Sequence, residues 1–343
     1  MTPLVSQKYN YALFYNPKSA CSVARRLFVA LHGDELPDAT QKRLQALRDA
    51  MQDDWHEAGQ LFAAPPEFDF SNAFCATIVR HPYTRFVSAY LNRMVLNRTE
   101  FDDFARVLDI DESQVSYSFS QVLQYCVARG VDALDDTHFL PQSVISGDLR
   151  GKTVYVKPRS WWQKLSGRLP KTPEGSLNLH YICHMESLQT DLRGLMQQVF
   201  KQHDDKRQQA LVLVEELGMH NVTVVNTDQA LPEAANMSAE SLRELGQMPE
   251  YAHFLTAQTQ QILHSLYADD IRLFGYAAEL DAKTSSFEQQ KAAHVLTQVP
   301  DDFNWEFYLD HHPDLRANGV DNKAAAISHW IHHGQQEGRS YKG

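Results

Sequence analysis

The chain has 343 residues, 43% hydrophobic and 22% charged, which excludes wholesale disorder or a membrane-embedded protein and allows about two domains. Its 32 basic and 43 acidic residues leave a net charge of −11, which argues against a nucleic-acid coat or a polybasic membrane binder. Cys21, Cys75, Cys126 and Cys183 stand singly with no C-x-x-C spacing, so a disulfide framework or structural zinc is not expected and reduced thiols are.

In chain order, the opening MTPLVSQKYNYALFY lacks the charge pattern and cleavage site of a secretory signal. No stretch reaches the roughly 20 apolar residues that span a bilayer. The expectation is a soluble, cytoplasmic protein. Tyr11–Tyr15 reads as a buried strand, and Asn16-Pro17-Lys18-Ser19-Ala20-Cys21-Ser22 breaks it with turn-forming residues. Val23, Leu27, Ala30 and Leu31 then recur at helical spacing, predicting an amphipathic helix that ends near Gly33. Thr40–Asp54 reads as a polar helix, and Pro65-Pro66 as a loop.

The same strand–loop–helix order returns at Phe74–Val79, Arg80-His81-Pro82, and the stripe Tyr83, Phe86, Val87, Tyr90, Leu91, Met94. Arg85 and Ser88 fall three apart on a face away from that stripe. Two such units predict an α/β fold with a mostly parallel sheet flanked by helices. Val154–Val156, Val222–Val225 and the segment around Tyr181-Ile182-Cys183 are strand candidates, and Asp191–Phe200 and Tyr251–Ala268 are helix candidates. Lys157–Gly175, with three prolines, two tryptophans and five basic residues, reads as a loop or lid. Its Arg159, Lys164 and Arg168 are candidates to meet an anionic acceptor, with a solvated basic loop as the alternative. From Glu279 the composition turns polar, and aromatics return after residue 301.

The turn at Pro17–Ser22 precedes a helix, whose N-terminus offers unpaired N–H groups and the positive end of the helix dipole. Lys18 adds a charge and Ser22 a hydroxyl, which suits a phosphate or sulfate; without G-x-x-x-x-G-K-[ST] it is not a Walker A loop. Arg80 at a strand end, with Ser88 on the next helix, forms a second candidate phosphate clamp.

Together these segments resemble the PAPS-dependent sulfotransferases, in particular the carbohydrate sulfotransferases that include chondroitin 4-O-sulfotransferases and their bacterial relatives. Pro17–Ser22 is similar to that family's P-K-x-[AG]-[CN]-T loop, with Ser22 in place of Thr. Residues 79–90, VRHPYTRFVSAY, resemble V-R-[DN]-P-x-x-R-x-x-S-A-Y, with His81 in place of Asp or Asn. Residues 136–142 (DTHFLPQ) resemble N-x-H-[WF]-x-P-Q, residues 185–192 (MESLQTDL) resemble F-E-x-L-x-x-D-L, and residues 266–276 (LYADDIRLFGY) resemble a closing L-Y-x-x-D-x-x-L-F-G-Y.

The resemblance covers about residues 9–278 and implies a P-loop-like sulfotransferase fold over residues 1–278, a linker at 279–300 and a small helical module at 301–343. It implies 3′-phosphoadenosine 5′-phosphosulfate (PAPS) as co-substrate, with no metal, and a glycan or glycolipid acceptor. Pro17, Lys18, Ser19, Ala20, Cys21 and Ser22 would surround the 5′-phosphosulfate, and Arg80 and Ser88 the 3′-phosphate. Cys21 would contribute its backbone, not a nucleophile. Lys18 would stabilise the leaving phosphate.

An acceptor hydroxyl needs a general base, and histidine suits neutral pH. Among 16 histidines, His138 in the H-x-x-P-Q segment is favoured, His56 is the runner-up, and a carboxylate such as Glu67 is the further alternative. Glu186 and Asp191 read as structural. The last segment resembles a short module appended to bacterial glycan-modifying proteins, with Trp305, Tyr308, Leu309, Leu315, Ile327 and Trp330 as its core and docking or glycan binding as its implied role. His329, His332 and His333 have helical spacing, without a fourth ligand for a metal. Two further readings stay open: a nucleotide-dependent kinase, and a PAPS- or PAP-binding protein without catalysis.

Overall fold

A computed structural model of the chain describes residues 2–42, 44, 59–65, 68–131, 134–144, 154–156, 177–216, 225–226, 234–245, 248–278, 299–300, 302–318, 320, 323–335 and 337–342. These fall into two compact units. The first comprises 1–81, 140–218 and 269–276, and the second 82–139, 219–268 and 277–343.

The first unit is built on a four-stranded sheet in the order β1 (Thr2–Ser6), β2 (Tyr11–Tyr15), β3 (Phe74–Val79), β6 (Tyr181–His184). β4 (Val154–Val156) and β5 (Leu177–Leu179) pair parallel with each other as a separate two-stranded sheet. β2, β3 and β6 are mutually parallel, and β1 alone is antiparallel, at the edge. β2 is buried at all five positions because it has strand neighbours on both sides and apolar layers on both faces. One layer carries Leu13, Tyr11, Ala76 and Ile78 against helix α1 (Cys21–His32) and helices α5 (Leu188–Val199) and α6 (Asp204–Glu216). The other carries Ala12, Phe14, Cys75 and Val79 with Phe274. Alternate residues of one strand therefore feed opposite layers, as the two-residue side-chain period requires. In α5, Gly194 leaves room for the Tyr181 hydroxyl, where a Cβ would collide.

The α/β expectation therefore holds: a mostly parallel sheet flanked by helices, with helical elements at the C-terminus. The edge strand β1 was not anticipated. Its TPLVS shows no strict alternation, and only pairing with β2 gives it a place.

The C-terminal end of α1 holds a buried polar chain. The Tyr11 hydroxyl lies 2.6 Å from His32 Nε2, His32 Nδ1 lies 2.8 Å from Glu35 Oε1, and Ser6 Oγ donates to Glu35 Oε2 at 3.2 Å. Burial pulls the His32 pKa down, outweighing the Glu35 carboxylate that favours the charged ring. The unfolded chain therefore takes up a proton on this ring that the folded chain refuses, so the contribution of His32 to stability is full above about pH 6.5 and is lost as pH falls. His184 shifts the opposite way, so a single-site comparison is needed. The melting-temperature gap between wild type and His32→Gln is expected to narrow between about pH 7 and pH 5; a constant or widening gap would contradict the burial effect.

In the second unit, helix α2 (Pro82–Tyr90) continues into a π-type turn over Leu91–Leu96. Every residue of α2 is buried. Phe86 packs edge-on against Phe119 of helix α4 (Phe119–Arg129), and Tyr90 meets Phe119 and Phe254. Helix α3 (Phe104–Leu108) lies between α2 and α4 in the chain. The face that carries Arg85 and Ser88 is therefore covered as fully as the apolar stripe. Arg85 is 2% exposed and donates from Nη2 to the Thr137 carbonyl at 3.3 Å.

The helix expected over 251–268 is interrupted. A 3-10 turn at Tyr251–Phe254 is followed by a new helix at Ala257–Leu266, whose cap, the Thr256 hydroxyl, accepts from Thr259 N–H. Among the C-terminal helices, Tyr308, Leu309, Leu315, Ala326 and Trp330 form one apolar cluster. Trp305 is only partly buried there, and Ile327 packs separately with Phe303 and Ile331.

Candidate functional site

The parallel strands β2, β3 and β6 end level with one another, with Tyr15 opposite Ile78 and Val79 opposite His184. The segments that follow their carboxyl ends share one edge of the first unit, the edge where open α/β sheets gather ligand sites. β2 leads into Asn16–Ala20, β3 into Arg80-His81, and β6 into Met185–Ser187.

The Asn16–Ala20 loop has an unusual backbone. Lys18 has φ +66° and Ala20 φ +56°, ψ +33°, so two non-glycine residues occupy the left-handed region, which costs about 1–2 kcal/mol each. Ala20 is also the N-cap of α1, and among the described residues that 12-residue helix has no side-chain cap at this end. Ser19 N–H donates to the Asn16 carbonyl at 3.2 Å, closing the turn. Alternating backbone conformations of this kind turn successive N–H groups to one side as an anion-binding concavity, here at the positive end of a helix. Asn16 at its head is 3% exposed, and its side-chain NH2 has no hydrogen-bond partner among the described residues. A buried donor left open in this way fits an acceptor-rich ligand.

Arg80 is 1% exposed and donates from Nη1 to the Lys18 carbonyl at 3.3 Å, tying the second expected anion residue to the first loop. His81, the departure from the usual Asp or Asn, is buried. Its N–H donates to Glu186 Oε1 at 2.7 Å, and its ring meets that of Tyr276 edge-on at 5.1 Å. Tyr276 donates to Glu186 Oε2 at 3.1 Å. Burial pushes the Glu186 carboxyl up, against the His81 amide, Arg80 and Tyr276, which all favour the carboxylate. Asp191 accepts from His184 N–H at 2.8 Å and from the Ser187 hydroxyl at 3.0 Å. Cys21 is half-buried; burial lifts the Cys75 thiol to about 12, far from a nucleophile's range.

The second unit holds Ser88, buried on α2, and His138. His138 Nδ1 lies 2.7 Å from Asp136 Oδ1, and Arg93, on the π-type turn, donates from Nε to Asp136 Oδ2 at 2.6 Å. Burial alone would raise the Asp136 carboxyl. Hydrogen bonds from the His138 ring and main chain and from Arg93 outweigh it and hold the carboxyl down at about 2. Asp136 is therefore an ionised, accept-only partner that favours a proton on His138 Nδ1, the tautomer in which Nε2 is the acceptor nitrogen. The side chain is 26% exposed. A base oriented by a carboxylate through its other nitrogen is the arrangement proton abstraction requires.

His56, Glu67, Arg159, Lys164 and Arg168 lie outside the described residues, as do most of the expected helix at 40–54, the lid at 157–175 and nearly all of the linker. Residues 222–224 do too; the strand there is Val225–Asn226. Reading the sequence missed three residues that organise these groups: Gln142, Asp136 and Arg93. The first two lie inside the DTHFLPQ segment, which was the available signal; Arg93 had none. His329 is held by the Tyr308 hydroxyl at 2.8 Å, and burial together with His333 lowers its pKa to about 4. Among the described residues no group of three His, Cys, Asp or Glu side chains is placed to hold a metal.

No significant match to a curated protein or to a solved structure was found. The model of the sulfotransferase family matches residues 2–277, which include the Asn16–Ala20 turn, Arg80 and the Asp136–His138 pair. By that match, over most of its length, the chain belongs to the sulfotransferase family.

Proposed function

We propose that this sulfotransferase takes its sulfuryl group from PAPS and passes it in line to a hydroxyl of a carbohydrate, a glycan or glycolipid precursor of bacterial type. The observation that carries the donor assignment is the Asn16–Ala20 turn: two left-handed residues, an uncapped helix start, a lysine and an orphaned amide donor in five residues. In this reading the loop residues from Pro17 to Ser22 hold the 5′-phosphosulfate, and Arg80 and Ser88 hold the 3′-phosphate.

The reaction forms a bond from the acceptor oxygen to sulfur and breaks the bond from sulfur to the 5′-phosphate oxygen. The acceptor proton goes to His138 Nε2, and the negative charge that develops on the leaving phosphate is met by Lys18 and the loop N–H groups. The products are PAP and a sulfate ester. His56 is the second choice as base. We assign residues 1–278 to catalysis, 279–300 to a linker and 301–343 to an accessory module that docks the acceptor or its carrier. No helix among the described residues is long and apolar enough to cross a membrane; a cytoplasmic site of action is part of the proposal.

The test is transfer of radiolabelled sulfur from PAPS to a panel of glycan acceptors, with PAP binding measured in parallel. Label should appear in a glycan, and Arg80→Ala should weaken PAP binding about tenfold or more, the scale for removing a charged hydrogen bond to phosphate. PAP binding without label on any acceptor would favour a binding protein without catalysis. No PAP binding would remove the donor assignment.

A further inference from the structure

Gln142 is fully buried, and every polar atom of its carboxamide is used. Oε1 accepts from the Arg80 N–H at 2.9 Å and from the Ser19 hydroxyl at 2.9 Å, while Nε2 donates to the Arg80 carbonyl at 2.7 Å. Arg80 N–H can only donate and its carbonyl can only accept, so these partners determine which end of the amide is which. Strand pairing of β3 stops at Val79. The carboxamide then pairs with both main-chain groups of Arg80 as the next strand would, and keeps them satisfied beyond the ladder.

Gln142 is itself fixed from beneath. Its N–H donates to Asp270 Oδ2 at 2.6 Å and the Ser143 N–H to Asp270 Oδ1 at 2.8 Å, both buried. Ser19 lies between Lys18 and Ala20, the two residues in the left-handed region. Backbone of that kind persists only where its surroundings over-determine it, and the Ser19–Gln142 bond is a side-chain tie that supplies this.

We infer that Gln142 is a positioning residue of the donor site: its carboxamide joins the strained turn at Ser19 to the main chain of Arg80, so both anion-binding segments are held ready before the ligand arrives. This rests on the donor assignment above. A preset site avoids ordering the loop on binding, and that ordering is what weakens affinity when the tie is lost. Ionised glutamate, asparagine and methionine each fail to replace the group. Glutamate offers a second acceptor where a donor is needed, asparagine is one methylene short, and methionine leaves the Arg80 N–H and carbonyl unmatched.

The test is PAP binding by calorimetry on the full chain, with folding checked by melting temperature, for Gln142→Met, Ser19→Ala, the double variant and Gln142→Glu. Gln142→Met should bind PAP about tenfold more weakly, and Ser19→Ala should cost less in the Gln142→Met background than in wild type, because the two act through one contact. Gln142→Glu should be weak at pH 8 and recover towards wild type at pH 6, as protonation of the new carboxyl restores a donor to the Arg80 carbonyl. The charged residues tied to Gln142 are Arg80, whose main chain pairs with the carboxamide, and Asp270, which accepts from the Gln142 N–H. A purely structural role would move the melting temperature of Gln142→Glu with pH and leave the PAP affinity of the folded protein unchanged.

Wild-type PAP affinity in a folded Gln142 variant, with affinity lost in Arg80→Ala, would overturn the inference alone. Equal losses from Ser19→Ala in both backgrounds would also overturn it. If neither Gln142 variant folds, the residue is structural and the inference falls. If Arg80→Ala also binds PAP like wild type, the donor assignment has failed and this inference falls with it.

Discussion

Lys18→Ala is expected to lower sulfuryl transfer by about 10²–10³-fold, the usual scale for removing one donor aimed at developing charge. The variant isolates the charge. Lys18 sits at φ +66°, and alanine meets the same left-handed penalty as lysine, so the backbone strain is unchanged. The Lys18 carbonyl that accepts from Arg80 is main chain and survives the substitution. The side chain is only half-buried, so no cavity opens in the core. Melting temperature should therefore stay near wild type while turnover of labelled PAPS collapses. Turnover near wild type would remove Lys18 from the leaving-group role.

His138→Ala is expected to cost about 10²–10⁴-fold in turnover, the range for loss of a positioned general base. Asp136→Asn is the more discriminating change. The carboxylate, held at about 2, accepts the Nδ1 proton and leaves Nε2 basic. An asparagine presenting its NH2 group to Nδ1 would draw the proton to Nε2, the atom that must take it from the acceptor. Asp136→Asn should thus lose turnover with PAP affinity unchanged, since the pair is assigned to the acceptor step. It also loses the charge opposite Arg93, so melting temperature must be measured with it. If both variants keep their turnover, the base lies elsewhere, and His56→Ala becomes the next measurement.

Much of the frame that carries the candidate site was legible as local pattern. The break after Tyr11–Tyr15, the helix to His32, and the repeat of that order at Phe74–Tyr90 appear where periodicity and turn residues place them. Lys18 and Arg80 stand out as candidates from their places after strand ends, whereas His138 stands out only through the resemblance of the DTHFLPQ segment to a family motif. The burial of Arg85 was not legible, because helical spacing shows which residues share a face, not whether that face is covered. The edge strand β1 and the interruption before Ala257 were missed for a related reason: one depends on a partner strand, the other on a single threonine cap.

By itself the sequence determined the α/β grammar and offered two candidate anion motifs, since these rest on residues within a few positions of one another; the type of chemistry came from the resemblance those motifs carry. Only the tertiary structure decided what holds them. Gln142 reaches Arg80 across 62 residues and Ser19 across 123, and Asp270 reaches Gln142 across 128. Arg93 reaches Asp136 across 43. A carboxamide or carboxylate finds partners at such separations through the order of strands in the sheet and the path of the connections. Hydrogen-bond geometry, unlike helical or strand periodicity, leaves no repeat in the sequence to read.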